Sequence, residues 1–203
     1  MDSSLRWKDK VGHGKENIPV ATHIPLLLDK DEQGRDILSG HVARMNPHHK
    51  LFSPPSTGVD GDPPSGWATQ KVLAIFLGPH AYVSSSWYSH ENVPTWNYIA
   101  VHVYGTLKII EGDRLYRQLK MLVEKYEKSS TKPVNLESMS QTYIKKQMDG
   151  IVGFEILIEE IQANYKLSQN RNEEDYVNVI TELEKRGDAQ SNAVAEEMKK
   201  KRK

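Results

Sequence analysis

Two short polar segments carry the residue types that a phosphate group needs, and Thr22 and His23 form the first. The second segment follows a strand-like run and contains Ser39, His41, Ala43 and Arg44. Small residues allow a close backbone approach, hydroxyl groups add neutral hydrogen bonds, and a guanidinium group offers a fork of donors. Spacing alone leaves two interpretations open: a phosphate site, or a polar strand end that caps a helix near Asn46 and Pro47.

An aromatic loop between two strand-like runs, residues 72–76 and 99–107, is a second candidate for ligand binding. β-Branched and aromatic residues dominate both runs, and the second run alternates with a period of two residues. The loop carries rings, hydroxyl groups and an amide: Tyr82, Ser84, Trp87, Tyr88, Trp96 and Asn97. Trp and Tyr bury a large apolar area and still need a hydrogen bond for their polar tips. We therefore expect a flat aromatic ligand or a second subunit to cover this loop.

A third polar group consists of Lys166, Gln169 and Arg171, which follow a long strand-like run. Their side chains could hold an anionic or carbonyl-rich ligand. They could equally form an exposed loop whose polar groups satisfy the start of the next helix, with Asn172 as its N-cap.

Other chemistry finds little support in the sequence. His41, His48 and His49 lack a second cluster of spaced ligands, so no metal site is predicted. The serines at 84–86 have no G-x-S-x-G motif around them, and neither G-x-G-x-x-G nor a P-loop is present. The absence of cysteine excludes disulfides and thiolate chemistry.

Composition and charge set outer limits on function. The 203 residues include 27 basic and 27 acidic ones, so no net field attracts nucleic acid or an anionic membrane. No apolar run approaches the roughly 18 residues of a membrane helix, and the first residues lack an apolar signal core. A cytoplasmic protein is predicted. The basic residues 199–203 have three possible interpretations: a nuclear address, an electrostatic tail or a frayed helix end.

The domain pattern has three parts. Residues 1–17 read as a loose arm, residues 18–198 as one domain, and residues 199–203 as a basic tail. Within the domain, residues 53–66 hold four of the ten prolines, a composition typical of a surface loop.

The predicted elements are antiparallel strands with helices at their periphery. Residues 20–28 and 37–42 form strands around a charged hairpin turn, and residues 151–161 form another strand. Asp113 caps a helix whose apolar face comprises Leu115, Leu119, Leu122, Val123 and Tyr126. A short helix follows at 137–148, another runs from the Asn172 cap to about Arg186 with Gly187 as its stop, and a last helix enters the basic end. The class is mainly β with peripheral helices (α+β).

Five long segments carry a family resemblance: ATHIPLLL, LSGHVARMNPHHKLF, VLAIFLGPHAYVSSSWY, VPTWNYIAVHVYGTLKII and IVGFEILIEEIQANYKLSQNR. They resemble the PaiB family of the FMN-binding split-barrel superfamily, named for negative regulation of protease production and sporulation in bacteria. The resemblance implies a six-stranded split β-barrel and a homodimer with FMN held between its subunits. Similar barrels serve pyridoxamine phosphate oxidases, flavin reductases and haem-handling proteins, so the fold alone does not fix the chemistry.

The resemblance also assigns residues to the flavin. Thr22 and His23 match a strand end near it. The phosphate and ribityl chain are expected beside Ser39, His41, Ala43 and Arg44. The isoalloxazine ring or the dimer partner is expected beside Tyr82, Ser84, Trp87, Tyr88, Trp96 and Asn97. Basic residues from the final strand correspond to Lys166, Gln169 and Arg171.

One departure from the family concerns the N-terminus. Family members carry a helix and a first barrel strand ahead of the A-T-H-x-P motif, whereas only 20 residues precede Ala21 here. An N-terminal strand is therefore expected to be missing or altered. A missing strand leaves unpaired N–H and C=O groups at an edge, which favours aggregation.

Three functions remain open from the sequence. The first is an FMN-binding negative regulator of transcription, acting through flavin or partner binding, since no basic recognition helix supports direct DNA contact. The second is a flavin-dependent oxidoreductase on an unknown small molecule. The third is a dimerising barrel without cofactor, and haem is the alternative cofactor.

Overall fold

The described part of the chain forms a five-stranded antiparallel sheet and four α-helices. The computed structural model describes residues 19–52 and 71–201. The strands are β1 (Leu27–Lys30), β2 (Asp36–Ala43), β3 (Lys71–Val83), β4 (Thr95–Ile110) and β5 (Ile151–Lys166), in the spatial order β1-β2-β5-β4-β3. The helices are α1 (Gly112–Glu127), α2 (Gln141–Asp149), α3 (Glu173–Arg186) and α4 (Ala189–Lys201), with short 3₁₀ turns at Pro47–Leu51, Ser85–Trp87 and Leu136–Ser138. The predicted α+β class is confirmed.

The chain divides into two compact units. Unit 1 comprises the described parts of Met1–Val72 and Thr106–Ile158, and unit 2 those of Leu73–Gly105 and Glu159–Lys203. Unit 1 therefore contains β1, β2, α1 and α2, and unit 2 contains α3, α4 and most of β3. The long strands β4 and β5 each contribute one part to each unit.

The β1–β2 hairpin confirms the predicted turn but corrects the first strand. Asp31 Oδ1 accepts hydrogen bonds from the backbone N–H groups of Gln33 and Arg35, both at 2.9 Å, and Gly34 takes the left-handed φ of 77° that such a turn needs. The predicted strand at 20–28 is wrong over most of its length, because β1 begins only at Leu27. Pro25 has no N–H to donate to a ladder, which disfavours strand pairing there.

In unit 1, β2 packs beside β5 with Gly40 opposite Phe154. A Cβ atom on Gly40 would lie 2.8 Å from Leu26 Cδ2 and 3.1 Å from Phe154 Cζ, so a larger residue there would force these side chains to shift. Helix α1 packs through Leu115, which is buried, whereas Tyr126 at the far end of the predicted apolar face is 56% exposed. The predicted apolar face is therefore too long by about one turn.

The predicted N-cap of α1 is also wrong. Glu111 occupies the cap position and makes no side-chain cap bond, while Asp113 lies inside the first turn. A carboxylate in the first turn is still favourable because it faces the positive end of the helix dipole. The following helix, α2, begins later than predicted because Ser140 caps it by accepting a hydrogen bond from Tyr143 N at 3.3 Å.

Unit 2 has a core formed by two helices and parts of the strands. Its buried residues are Ala81, Val83, Tyr88, Leu167, Tyr176, Val179, Leu183, Val194, Ala195 and Met198. Helix α3 matches its prediction: Asn172 caps the start, and Gly187 ends it in the left-handed conformation with φ of 70°. Tyr176 Oη donates to the carbonyl of Met198 at 2.6 Å and so ties α3 to α4.

The basic end of the chain is helical as far as Lys201. Lys199 pairs with Glu184 of α3, and Lys201 Nζ lies 4.5 Å from the centre of the Tyr165 ring. Strand β5 also runs further than predicted, to Lys166 instead of residue 161.

Three predictions fall outside the described residues: the loose arm at 1–17, with the missing strand ahead of Ala21, the proline-rich loop at 53–66, and the last two residues of the basic tail. Across residues 19–52 and 71–201, every helix is too short or too polar to cross a membrane.

Candidate functional site

A large cleft opens in unit 1 where the end of β4, the start of α1, α2 and the start of β5 meet. Its volume is about 1050 Å³, which is ample for a cofactor-sized ligand. Apolar side chains form much of its surface: Ile109, Ile110, Leu115, Ile144, Met148, Ile151 and Val152. This surface can cover a flat apolar ring.

Basic residues also line the cleft. Arg44 donates from Nε to the carbonyl of Asp149 at 2.9 Å and from Nη2 to the carbonyl of Ile151 at 3.0 Å. These bonds hold the guanidinium group at the cleft and leave Nη1 available. Lys50 and Lys145 line the same cleft, and within the described residues neither forms an ion pair.

Acidic residues share this surface, so the cleft is not uniformly positive. Glu111, Asp113 and Asp149 all contribute to its lining. An anion is therefore favoured only beside the cations Arg44, Lys50 and Lys145. The arrangement suits a ligand with one anionic end and an apolar body.

Thr22 takes part in a local network with the turn that follows β2. Its Oγ1 accepts from Asn46 Nδ2 at 3.3 Å and lies 2.8 Å from His48 Nδ1. Burial lowers the pKa of His48, which favours the neutral ring, and the tautomer of that ring decides whether Nδ1 or the Thr22 hydroxyl donates. Both groups are thus engaged with each other, whereas His23 is exposed.

Ser39 and Arg44 line different cavities of unit 1. Ser39 is buried and lines a small polar cavity of about 40 Å³ beneath α1, together with Gln118 and Glu155. His41, two residues along the same strand, lies with Nδ1 3.2 Å from Gln118 Oε1. Ala43 is exposed at the end of β2. The second predicted phosphate segment therefore does not converge on one point.

In unit 2, the aromatic loop is held by an arginine that sequence analysis missed. Arg186 of α3 lies 4.6 Å from the Trp87 ring centre and 5.9 Å from that of Tyr82, and it donates to the Tyr82 carbonyl at 2.8 Å. Trp96 stacks on His80 with ring centres 6.0 Å apart. Trp96 and Tyr82 remain 46% and 40% exposed.

Tyr88 and Arg171, which were both predicted as cofactor-binding residues, contact each other in unit 2. The guanidinium carbon is 4.6 Å from the Tyr88 ring centre. Tyr88 is 8% exposed, and its hydroxyl group has no hydrogen-bond partner among the described residues. A buried hydroxyl in this state is suited to a water or ligand.

The other predicted residues of unit 2 serve local structure. Asn97 is fully buried and accepts from Ser168 Oγ at 3.1 Å. Gln169 donates to the Tyr165 carbonyl at 2.5 Å and accepts from Leu167 N at 2.8 Å, closing the turn after β5. Ser84 caps the short turn at Ser85–Trp87, and Lys166 is exposed.

Comparison with known proteins identifies the family. The family model described as "Putative FMN-binding domain" matches residues 11–160. The chain is 45% identical over 183 residues to the Bacillus subtilis protein "Protease synthase and sporulation protein PAI 2", an alignment covering 90% of this chain and 81% of that relative. The chain belongs to the FMN-binding PaiB family. The resemblance seen in the sequence is confirmed.

Proteins similar to this chain also occur in fungi. An uncharacterized protein of Emericella nidulans is 30% identical over 190 residues, covering 82% of this chain and 76% of that relative. Among solved structures, the flavocytochrome Anf3 from Azotobacter vinelandii is similar at a TM-score of 0.45 and 14% identity, covering 81% of this chain and 64% of that one. At this low TM-score and identity, the structural similarity supports no conclusion about function.

FMN is the cofactor that the PaiB family assignment gives this chain. The residues of the unit 1 cleft fit that cofactor. An FMN phosphate needs charge-assisted donors, which Arg44, Lys50 and Lys145 can supply, and an isoalloxazine ring needs apolar cover, which Ile144 and Met148 can supply.

Sequence analysis missed Lys50, Lys145 and Met148 as lining residues. In α2, Gln141, Ile144, Lys145 and Met148 recur at spacings of three and four, which places them on one helix face. This spacing could have shown from the sequence that the four residues share one face of a helix. It could not have shown that this face lines the cleft, because that depends on the tertiary fold.

Proposed function

We propose that FMN binds in the unit 1 cleft, with its phosphate at Arg44 and Lys50 and its ring against the apolar surface of α2 and β5. One observation carries this placement. In a single cleft of about 1050 Å³, cations without an ion pair among the described residues share the lining with several apolar side chains. Bound FMN supplies redox chemistry, while the chain holds the phosphate and keeps water from one ring face.

We further propose that the flavin-loaded protein is a negative regulator of transcription of the PaiB type. The family assignment and the name of the Bacillus subtilis relative support this role. Because 27 basic and 27 acidic residues cancel, regulation is expected to act through flavin or a protein partner instead of direct DNA contact. The predicted cytoplasmic location stays a prediction.

Replacing Arg44 with alanine tests the placement of the phosphate. Loss of a charged hydrogen bond removes about 1.5–3 kcal/mol, so the Kd for FMN should rise roughly 10-fold to 150-fold. Flavin fluorescence titration measures the change. Arg35→Ala is the matched control, because Arg35 pairs with Asp31 in the β1–β2 turn and does not line the cleft.

A second variant separates phosphate binding from a structural effect of Arg44. The Arg44 bonds to the carbonyls of Asp149 and Ile151 also support the start of β5. Lys50 has no such bond among the described residues, so Lys50→Gln should weaken FMN binding without lowering the melting temperature. Unchanged FMN affinity in both variants would remove the phosphate from this end of the cleft.

We also propose a homodimer formed through the exposed face of β3. Leu73, Ile75 and Leu77 alternate along this outer strand and are 46%, 62% and 65% exposed. An outer strand with a row of exposed apolar side chains favours association. Ile75→Lys should convert a dimer to a monomer in size-exclusion chromatography with light scattering.

Val177→Lys is the matched control for the β3 variant. Val177 is an apolar residue on α3 that is 48% exposed, so this substitution adds the same charge away from the strand. The control should leave the dimer intact. A wild-type monomer at micromolar concentration, or a dimer that survives Ile75→Lys, would contradict the proposed interface.

A further inference from the structure

Two buried polar atoms face the small cavity beneath α1. Ser39 and Gln118 are each 3% exposed, and the Oγ of Ser39 and the Nε2 of Gln118 have no hydrogen-bond partner among the described residues. Both residues line the same cavity of about 40 Å³. Leaving a buried donor or acceptor unpaired costs about 1–3 kcal/mol. Two such groups at one cavity point to an occupant.

The charges around this cavity are already matched. Arg114 makes bonds of 2.7–3.1 Å to Glu155 and pairs with Glu32 at 2.8 Å. Arg117 pairs with Asp29 at 3.0 Å. An added ion would therefore lack a counter-charge, whereas a neutral molecule needs none.

The size of the cavity matches water. A water molecule needs roughly 10–15 Å³ of space open to its centre and two to four polar partners. The cavity of about 40 Å³ satisfies the first condition. Ser39 Oγ, Gln118 Nε2 and the carboxylate of Glu155 satisfy the second.

The Gln118 amide joins this cavity to His41. Its Oε1 lies 3.2 Å from His41 Nδ1, while its Nε2 is the unpaired atom at the cavity. An amide oxygen only accepts, so the ring nitrogen facing it must carry the proton. The tautomer of His41 thus follows from what the other end of the amide binds.

We infer that an ordered water donates to the Glu155 carboxylate and to Ser39 Oγ and accepts from Gln118 Nε2, and that Gln118, with Oε1 thereby turned toward His41, holds His41 as its Nδ1–H tautomer with an acceptor lone pair on Nε2. Gln118 is a positioning residue in this arrangement. A ligand that reaches Nε2 of His41 would have to donate a hydroxyl or N–H hydrogen to it, which an unprotonated phosphate oxygen cannot do.

The tautomer is read directly by two-bond ¹H–¹⁵N correlation spectra of histidine rings in ¹⁵N-labelled protein at pH 8. His41→Gln identifies the His41 signals. Wild-type protein should show the Nδ1–H pattern. Gln118→Leu should shift His41 to the Nε2–H pattern that free imidazole side chains favour, and Gln118→Glu, which keeps the acceptor oxygen, should retain the Nδ1–H pattern.

Ser39→Ala tests the water. Without Ser39 Oγ the bridge is lost, the amide is free to rotate, and His41 should show a mixture of both tautomers. Wild-type His41 in the Nε2–H form, or a tautomer indifferent to both Ser39→Ala and Gln118→Leu, would overturn the inference. Circular dichroism checks that each variant is folded. If Gln118→Leu does not fold, Ser39→Ala still tests the inference.

These spectra are recorded without flavin, so they separate this inference from the proposed function. Failure of FMN to bind would remove the proposed function and leave the tautomer result untouched. A crystal structure at high resolution adds a second readout. Density for a water within hydrogen-bond distance of Ser39 Oγ and Gln118 Nε2 is expected, and an empty cavity would contradict the bridge.

Discussion

Replacing Gly153 with alanine is expected to lower the free energy of unfolding by about 1–3 kcal/mol, the usual cost of forcing extra atoms into a packed core. A Cβ atom there would lie 2.6 Å from Leu115 Cδ1 and 3.1 Å from the carbonyl oxygen of Ile110. The leucine tip can move, but the backbone oxygen at the end of β4 cannot move without shifting the strand. The melting temperature should fall by roughly 2–12 °C for a chain of this size.

A double variant isolates the contact between Gly153 and Leu115. Leu115→Ala alone leaves a cavity and destabilises the protein. Combined with Gly153→Ala, the new methyl group occupies part of that cavity. The loss of unfolding free energy in the double variant should therefore be smaller than the sum of the losses in the two single variants. The expected difference is at least about 0.5 kcal/mol, as for other side chains in contact. Strict additivity in urea unfolding would show that the clash lies elsewhere.

Replacing Asp175 with asparagine is expected to lower the melting temperature by roughly 5 °C or more, because several buried donors would lose their acceptor. Asp175 is fully buried at the start of α3. Its carboxylate accepts from Ser89 N at 2.7 Å, Ser89 Oγ at 3.0 Å and Asn172 Nδ2 at 3.2 Å, and it lies 3.2 Å from His90 Nδ1. In asparagine an NH2 group replaces one of the two acceptor oxygens, so this NH2 group would face N–H or O–H groups that also need an acceptor.

The same carboxylate makes stability depend on pH. The backbone N–H of Ser89, helped by its hydroxyl group, His90 and Asn172, lowers the pKa of Asp175 below its ordinary value. A lowered carboxyl pKa stabilises the fold fully above the unfolded value of about 3.9, and this contribution is lost as the pH falls toward the folded value. Wild-type protein should therefore lose stability below about pH 4.5.

Melting temperatures recorded from pH 6 to pH 3 check this prediction. In Asp175→Asn the carboxyl group is absent, so the fall in melting temperature below pH 4.5 should be shallower than in wild-type protein. Glu91→Gln is the control, because Glu91 is exposed in the loop before β4 and forms no ion pair among the described residues. Parallel curves for wild type and Asp175→Asn would contradict the role given to this carboxylate.

Features fixed by local sequence could be predicted, and those set by distant segments could not. The ends of α3 were found from Asn172 and Gly187 because capping involves only neighbouring residues. The cap of α1 was misplaced because Glu111, Gly112 and Asp113 are close alternatives whose choice depends on how β4 delivers the chain.

The same division applies to the site. Arg44, which lines the cleft, was predicted as a phosphate ligand because a guanidinium beside small residues is a recognisable pattern. Lys50 and Lys145 were missed because they are far apart in sequence and meet only through the fold. Asn97 looked like a ligand-facing amide in an aromatic loop, but packing in the core of unit 2 buries it completely. When a polar residue lies between aromatic residues, the sequence does not show whether its side chain points into the core or toward the surface.

The helical end of α4 bears on any nuclear role of the basic run. A transport receptor that reads lysines along an extended peptide needs the chain unwound, with each side chain free to point into its own groove. Here Lys199 is tied to Glu184, and Lys201 lies over the Tyr165 ring. Import by such a receptor would first have to unwind the last turn of α4 and separate these two contacts.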